Sequence, residues 1–295
     1  MIWILGFVLG GCTRSVEPPE AWPERACTSS APHLDAAPTS ARDDLWLIMD
    51  DGVALAVAAR RPEEVTCAAV LVEAPPGFEG GLENINGEQA KTLSRAGAVV
   101  ITFDPRGRGE SEGEEDINGE RGQRDFAALL RWAADLDGVD ADAVVIYSRS
   151  IGGALAAGAL ARDADLRPRA WVDYESPGWL EDDMDHTTEH THDRMWALAD
   201  ATDDPSAWFL ERSPAGFIGE VGVPYHRLQG MPDHALDSMS AAAAMLNGAV
   251  SSPEVTLNGA IVGAEMSAAE IQDAAIGGGV DPGGSWATEQ ALAAW

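Results

Sequence analysis

Lysine is almost missing from this chain. Lys91 is the only one among nineteen basic residues, which face 49 acidic residues for a formal charge of −30 over 295 positions. Phosphate recognition depends on Lys and Arg, so nucleic acid is argued against as a partner. The acidity itself fits solubility or a salty habitat, with attraction of a cationic substrate as the alternative. Cysteine is also scarce: there are three, none with a metal-ligating neighbour at short spacing, which argues against a thiolate metal site. The apolar run Ile2–Leu9 is too short to span a bilayer as a helix. Finally, no histidine follows His234, which removes the usual source of a catalytic base from the last fifth of the chain.

The short apolar run ends in Leu9-Gly10-Gly11-Cys12, which resembles a bacterial lipobox, although no Lys or Arg precedes it. The resemblance implies removal of residues 1–11 as a signal peptide and lipidation of Cys12. With Thr13 rather than Asp next, it also implies a place in the cell envelope, at the outer membrane of a Gram-negative bacterium. Contact with the membrane is then through the lipid anchor only. Residues 12–43 are rich in Pro, Ala, Ser and Glu and are predicted to be a tether with little structure. Cys27 and Cys67 remain, either bridged or as two unpaired thiols.

From about residue 44 the pattern is that of a layered α/β domain continuing to residue 295. Leu45–Met49 and Val53–Ala58 are predicted strands joined by Asp50-Asp51-Gly52, a hairpin turn signal. Ala68–Glu73, Ala98–Phe103, Ala143–Tyr147, Ala170–Tyr174, Val223–Gln229 and Val255–Leu257 are further strands. Helices are predicted over Asn84–Arg95, Asp125–Asp135, Ile151–Arg162 and Ala241–Leu246. This alternation predicts a mainly parallel sheet flanked by helices. Residues 177–214, acidic and holding Trp179, Trp196 and Trp208, break the rhythm and are expected to form a helical lid insertion. The tail beyond Gly277 is Gly-rich and then weakly helical.

Tyr147-Ser148-Arg149-Ser150-Ile151-Gly152 lies between a predicted strand and a predicted helix. This is the setting of a nucleophile elbow with Ser150 at its tip, and small residues two before and two after make the sharp turn feasible. Phe103-Asp104-Pro105-Arg106-Gly107-Arg108-Gly109-Glu110-Ser111 and Leu228-Gln229-Gly230-Met231-Pro232-Asp233-His234 follow two other strands. With the elbow, these segments resemble the α/β-hydrolase family over roughly Leu45 to Val262, in particular its dienelactone-hydrolase and prolyl-oligopeptidase-like branches. The resemblance implies Ser150 as nucleophile, Asp233 as acid, and the backbone N–H of Ile151 as one oxyanion donor. The second donor would come from the loop Pro75-Pro76-Gly77-Phe78; the two prolines carry no N–H, which leaves Gly77 or Phe78, and Phe78 is preferred. Glu175, after the preceding strand, is the alternative acid. Arg106 to Ser111 reads best as a tight structural turn beside the elbow.

The departure from the family is the base. Asn258 stands where the histidine is expected, and asparagine cannot accept a proton near neutral pH. A displaced histidine is one answer: His234 beside the acid, or His186, His190 or His192 of the insertion. His226 reads as a structural strand residue. The three insertion histidines could instead bind a divalent metal, with His186 and His190 on one helical face, or form a solvated surface. The expected function is hydrolysis of an ester or peptide bond in a small-molecule or peptide substrate through an acyl-enzyme at Ser150, with no cofactor. The alternative is a non-catalytic binding lipoprotein that retains the fold.

Overall fold

A computed structural model describes residues 15–23, 40–62 and 65–278 of the chain. Cys12, Cys27, the Leu-Gly-Gly-Cys segment and the tail beyond 278 lie outside the described residues. The strands are β1 (Ser15–Val16), β2 (Ser40–Ile48), β3 (Ala54–Pro62), β4 (Ala68–Ala74), β5 (Val99–Phe103), β6 (Val139–Arg149), β7 (Ala170–Tyr174), β8 (Tyr225–Leu228), β9 (Val255–Leu257) and β10 (Ala260–Ile261). The helices are α1 (Glu88–Arg95), α2 (Glu120–Ala134), α3 (Gly152–Arg162), α4 (Leu180–Asp183), α5 (Glu189–Ala199), α6 (Pro205–Glu211), α7 (Ser240–Gly248) and α8 (Ala268–Gly278).

The ten strands form one sheet in the order β1-β2-β3-β5-β4-β6-β7-β8-β9-β10. The run from β5 through β4 and β6 to β9 is parallel, while β3 pairs antiparallel with both β2 and β5. Val70, Leu71, Val72, Val99–Ile101 and Val144–Ile146 are buried, as a sheet covered on both faces requires. Helices α2, α3, α7 and α8 contribute to the core on one face. Leu82, Ile85, Ala90 and Leu93, from a short turn and α1, cover the other.

From β4 the chain crosses to β5 on one side, and from β6 it crosses to β7 on the other. The adjacent strands β4 and β6 therefore flank the point where the winding reverses. In open parallel sheets the crevice at the carboxyl ends of such strands is where ligands bind. Ser150 leaves β6 there.

Two predicted boundaries shift. The stretch expected as an unstructured tether supplies β1, which pairs parallel with Trp46–Leu47 of β2, and Trp22 packs against the core. The sheet also takes in Ser40–Asp44, five residues ahead of the predicted strand, because the long β3 offers a partner for every one of them. Cys67 is disulfide-bonded, and its partner falls outside the described residues.

Residues 177–214 do form helices, but not one continuous face. Thr188 caps α5 by accepting a hydrogen bond from the Thr191 amide, so the chain breaks between His186 and His190. The shared helical face expected for that histidine pair is not formed. A capping threonine stops a helix from running through.

Candidate active site

At the end of β6 the backbone turns sharply. Ser150 adopts φ +50°, a left-handed conformation that is costly for a side chain with a Cβ. The Ser150 amide donates to the Tyr174 carbonyl on β7 at 2.9 Å. Gly152 opens α3 so close to β4 that an added Cβ would stand 2.3 Å from the Ala74 carbonyl oxygen. Ser148, where a glycine is common in such elbows, is accommodated because its hydroxyl enters a buried polar pocket. It donates to Asp173 Oδ1 and accepts from Trp171 Nε1, both at 2.8 Å.

The end of β7 repeats the same conformation. Glu175 also has φ +50°, with its amide bonded to the Leu228 carbonyl at 3.1 Å. Its buried carboxylate meets the loop after β8: Oε1 accepts from the Gly230 amide at 2.7 Å, and Oε2 from the His234 amide at 3.1 Å. Oε2 also lies 2.6 Å from His234 Nδ1. Burial alone would raise the Glu175 carboxyl, but the His234 ring and these two amides outweigh it and hold it below the usual carboxylate range. A carboxylate can only accept, so His234 Nδ1 carries a proton, and in the neutral ring Nε2 is then the acceptor. The ring stacks on Tyr174 at 5.9 Å and remains about a third exposed.

Asp233, the acid expected from the family pattern, is occupied elsewhere. Its Oδ1 accepts from the Ala235 and Leu236 amides at 2.8 and 3.0 Å, and its Oδ2 from Gln229 Nε2 at 2.8 Å. It approaches His234 Nδ1 only to 3.5 Å. Adjacent residues point their side chains apart, so the partner of the His234 ring comes from the neighbouring strand. Asn258, after β9, has φ +52° but turns its amide onto the Gln229 backbone, accepting from its N–H at 2.9 Å and donating to its carbonyl at 3.0 Å.

Beneath these turns lies a polar network that short motifs did not reveal. Asp173, fully buried, accepts from Ser148, Ser176, Tyr225 and Arg227. Arg227, also fully buried, donates to the Ser176 carbonyl at 2.8 Å and to Gln229 Oε1. Gln229 passes the chain on to Asp233. The elbow, the Glu175 turn and the His234 loop are therefore joined from below. The polar residues Ser148, Asp173 and Arg227 within strands β6, β7 and β8 were the only hint in the sequence.

Ile151 packs in an apolar cluster with Ile117, Leu180, Met184, Met195 and Phe209, and Phe78 rests against that cluster. Neither the Ile151 nor the Phe78 amide donates a hydrogen bond within the described residues. Ser150 Oγ likewise has no hydrogen bond there, to His234 or otherwise. His186 bonds Asp237 at 2.8 Å, His192 bonds Asp193 at 3.0 Å, and His190 is exposed; none of these bonds is to Ser150. His226 lies in β8 and bonds Thr256 at 3.0 Å. Glu175, Asp233 and His234 are the only metal-capable group of three among the described residues. An ion there would have to displace N–H bonds that already hold all three side chains.

The chain has the α/β-hydrolase fold, the class that the sheet order and the turns at its carboxyl edge define. Residues 51–170 match the family model of the X-Pro dipeptidyl-peptidase (S15 family), a span that holds Ser150 but ends before Glu175 and His234. Among solved structures, acetyl xylan esterase from Paenibacillus sp. R4 is similar with a TM-score of 0.59 at 14% identity, over 80% of this chain and 82% of that one. The 2,6-dihydroxy-pseudo-oxynicotine hydrolase gives 0.60 at 19% identity, over 87% and 67%. A puromycin hydrolase gives 0.60 at 15% identity, over 74% of this chain but only 35% of its own. No curated protein matches the chain.

Proposed function

We propose that this protein is a serine hydrolase of ester or peptide bonds, with Ser150 as nucleophile, His234 as base and Glu175 as the acid that orients it. The observation that carries the reading is the 2.6 Å contact between Glu175 and His234 Nδ1, which leaves Nε2 free to take a proton. Nucleophile, acid and histidine keep their family order along the chain. The acid follows β7 and the histidine follows β8, each one strand earlier than the family pattern expects of Asp233 and a residue near Asn258.

Ser150 Oγ attacks the substrate carbonyl as its proton passes to His234 Nε2. The carbonyl oxygen takes up the negative charge and is met by the Ile151 and Phe78 amides. Collapse breaks the bond to the alcohol or amine, which leaves with the proton from His234. Water then repeats the sequence on the acyl-enzyme, giving the acid product and free Ser150. No step requires a cofactor. In a resting enzyme the serine–histidine hydrogen bond is often unformed and tightens with substrate. The inserted helices, packed on Ile151, would act as the lid.

The test is labelling by a fluorophosphonate probe, with loss of the label in Ser150→Ala. A folded wild type that takes no label and turns over no ester or peptide would make it a binding protein that retains the fold. We further propose that the mature chain starts at a lipidated Cys12 and is held at the outer membrane of a bacterial envelope. The support is the Leu-Gly-Gly-Cys segment. Intact mass after expression in a lipoprotein-processing host checks it: an acylated N-terminus at Cys12 is expected, and a soluble protein starting at Met1 would refute it.

A further inference from the structure

The loop Asp104–Ser111 fills the role of a tight turn beside the elbow, and most of it is a brace. Asp104 accepts from the Leu82 and Glu110 amides, each at 2.8 Å, and Arg106 forms a two-pronged pair with Asp125. Ser111 Oγ donates to the Asp104 carbonyl and accepts from the Ala56 amide. These bonds tie β3, β5 and α2 together. The backbone of Arg108 closes this turn, donating to the Pro105 carbonyl and accepting from the Ser111 amide, but its side chain has no part in the brace. Its side chain, 1% exposed, reaches across to the loop after β4, where Nη1 donates to the Gly77 carbonyl at 3.1 Å. Nε is held by Glu115 at 2.5 Å, and Nη2 is buried with no partner among the described residues.

We infer that Arg108 is the positioning residue of the oxyanion hole, acting through the Gly77–Phe78 peptide. This rests on the assignment of Phe78 as the second oxyanion donor. The carbonyl of Gly77 and the N–H of Phe78 belong to one planar trans peptide and point in opposite directions. Holding the carbonyl therefore fixes the direction of the N–H. Gly77 itself has φ +68°, so this peptide is set in a conformation that a side chain would strain. The same loop is held again at its far end, where Asp104 takes the Leu82 amide. Its Phe78 ring is covered by the Arg194 guanidinium of α5, 4.1 Å from the ring centre. A buried guanidinium with one nitrogen unpaired among the described residues carries a cost, and the hold on Gly77 is what that geometry secures. Lysine cannot replace it fully, because a single ammonium lacks the fork that serves Glu115 and Gly77 together.

Compare wild type, Arg108→Met and Arg108→Lys for p-nitrophenyl acetate turnover and for inhibition by phenylboronic acid, whose tetrahedral adduct at the serine mimics the transition state. Loss of the clamp should lower kcat about 10- to 100-fold in Arg108→Met, less in Arg108→Lys, with KM changed by less than about threefold. Boronate affinity should fall in step with kcat. A folded variant that keeps kcat and boronate inhibition within about twofold of wild type overturns the inference, as does a loss confined to KM. If circular dichroism shows that Arg108→Met is unfolded, Arg108→Lys decides by the same criteria. Failure of the wild type itself to label or turn over would overturn the hydrolase reading, and this inference with it; an active, labelled wild type with indifferent variants overturns the inference alone.

Discussion

Three strands end on a residue with a side chain in the left-handed region: Ser150 after β6, Glu175 after β7 and Asn258 after β9. The backbone does nearly the same thing three times, yet the side chains have different fates. The Ser150 hydroxyl is left without a hydrogen bond among the described residues, and the Glu175 carboxylate holds a histidine ring. Asn258 spends both ends of its amide on the Gln229 backbone. A strained turn at the carboxyl edge of a parallel sheet thus offers a position for chemistry but does not assign it. What assigns it is whether the side chain's bonds are used to build the protein or left for a reaction. Asp233 and Asn258, where the sequence resemblance leads one to expect the acid and the base, both hold the loop after β8 that carries His234.

The largest effect that could break this comparison is at His234. Its change to alanine should lower kcat by about two to four orders of magnitude, the usual cost of losing a general base, whereas Asn258→Ala should leave kcat within about tenfold. Equal losses measured on one ester substrate would mean that the β9 turn takes part directly. Next in size is the contest between the acids. Glu175→Gln keeps the shape but removes the charge facing Nδ1, and should cost on the order of a hundredfold or more in kcat. Asp233→Asn sets an amide nitrogen against Gln229 Nε2 and should show mainly as lower stability. A Glu175→Gln enzyme as active as wild type, beside a crippled Asp233→Asn, would return the acid to Asp233.

A smaller effect tests the building role. Asn258→Ala leaves the Gln229 N–H and carbonyl without their partner and should cost about 1–3 kcal/mol of stability, read by denaturant unfolding. The smallest concerns Glu73, at the end of β4, where burial pushes the carboxyl up to about 7 despite Arg149 at 3.7 Å and a hydrogen bond from Asn84. The folded protein then holds this proton more tightly than the unfolded chain, whose carboxyl titrates near 4.5. That stabilisation is complete below the unfolded value and is lost as pH rises through about 7. Glu73→Gln should therefore raise the unfolding temperature by a few degrees at pH 8 and change it little at pH 5. An equal change at both pH values would show that the carboxyl is ionised throughout.

Hydrophobic runs and turn residues were enough to locate every strand from β2 to β9, most plainly β4, β5 and β7, where burial on both faces leaves a continuous apolar signature. Three short segments in order, around Asp104, Ser150 and Asp233, were enough for the fold class, since each belongs to a local strand–turn unit. Sequence also confined the base, if there is one, to His234 or an earlier histidine, by the absence of any later one. It could not choose between Asp233 and Glu175, which lie 58 positions apart and compete for one ring only after β7 and β8 are paired. Nor could it show that Arg108 reaches Gly77, 31 residues away, or that Arg227 of β8 is paired with Asp173 of β7. Local pattern records what a residue does to its own segment. Which side chain meets which across the sheet edge is decided by strand order and register, and only the tertiary structure contains those.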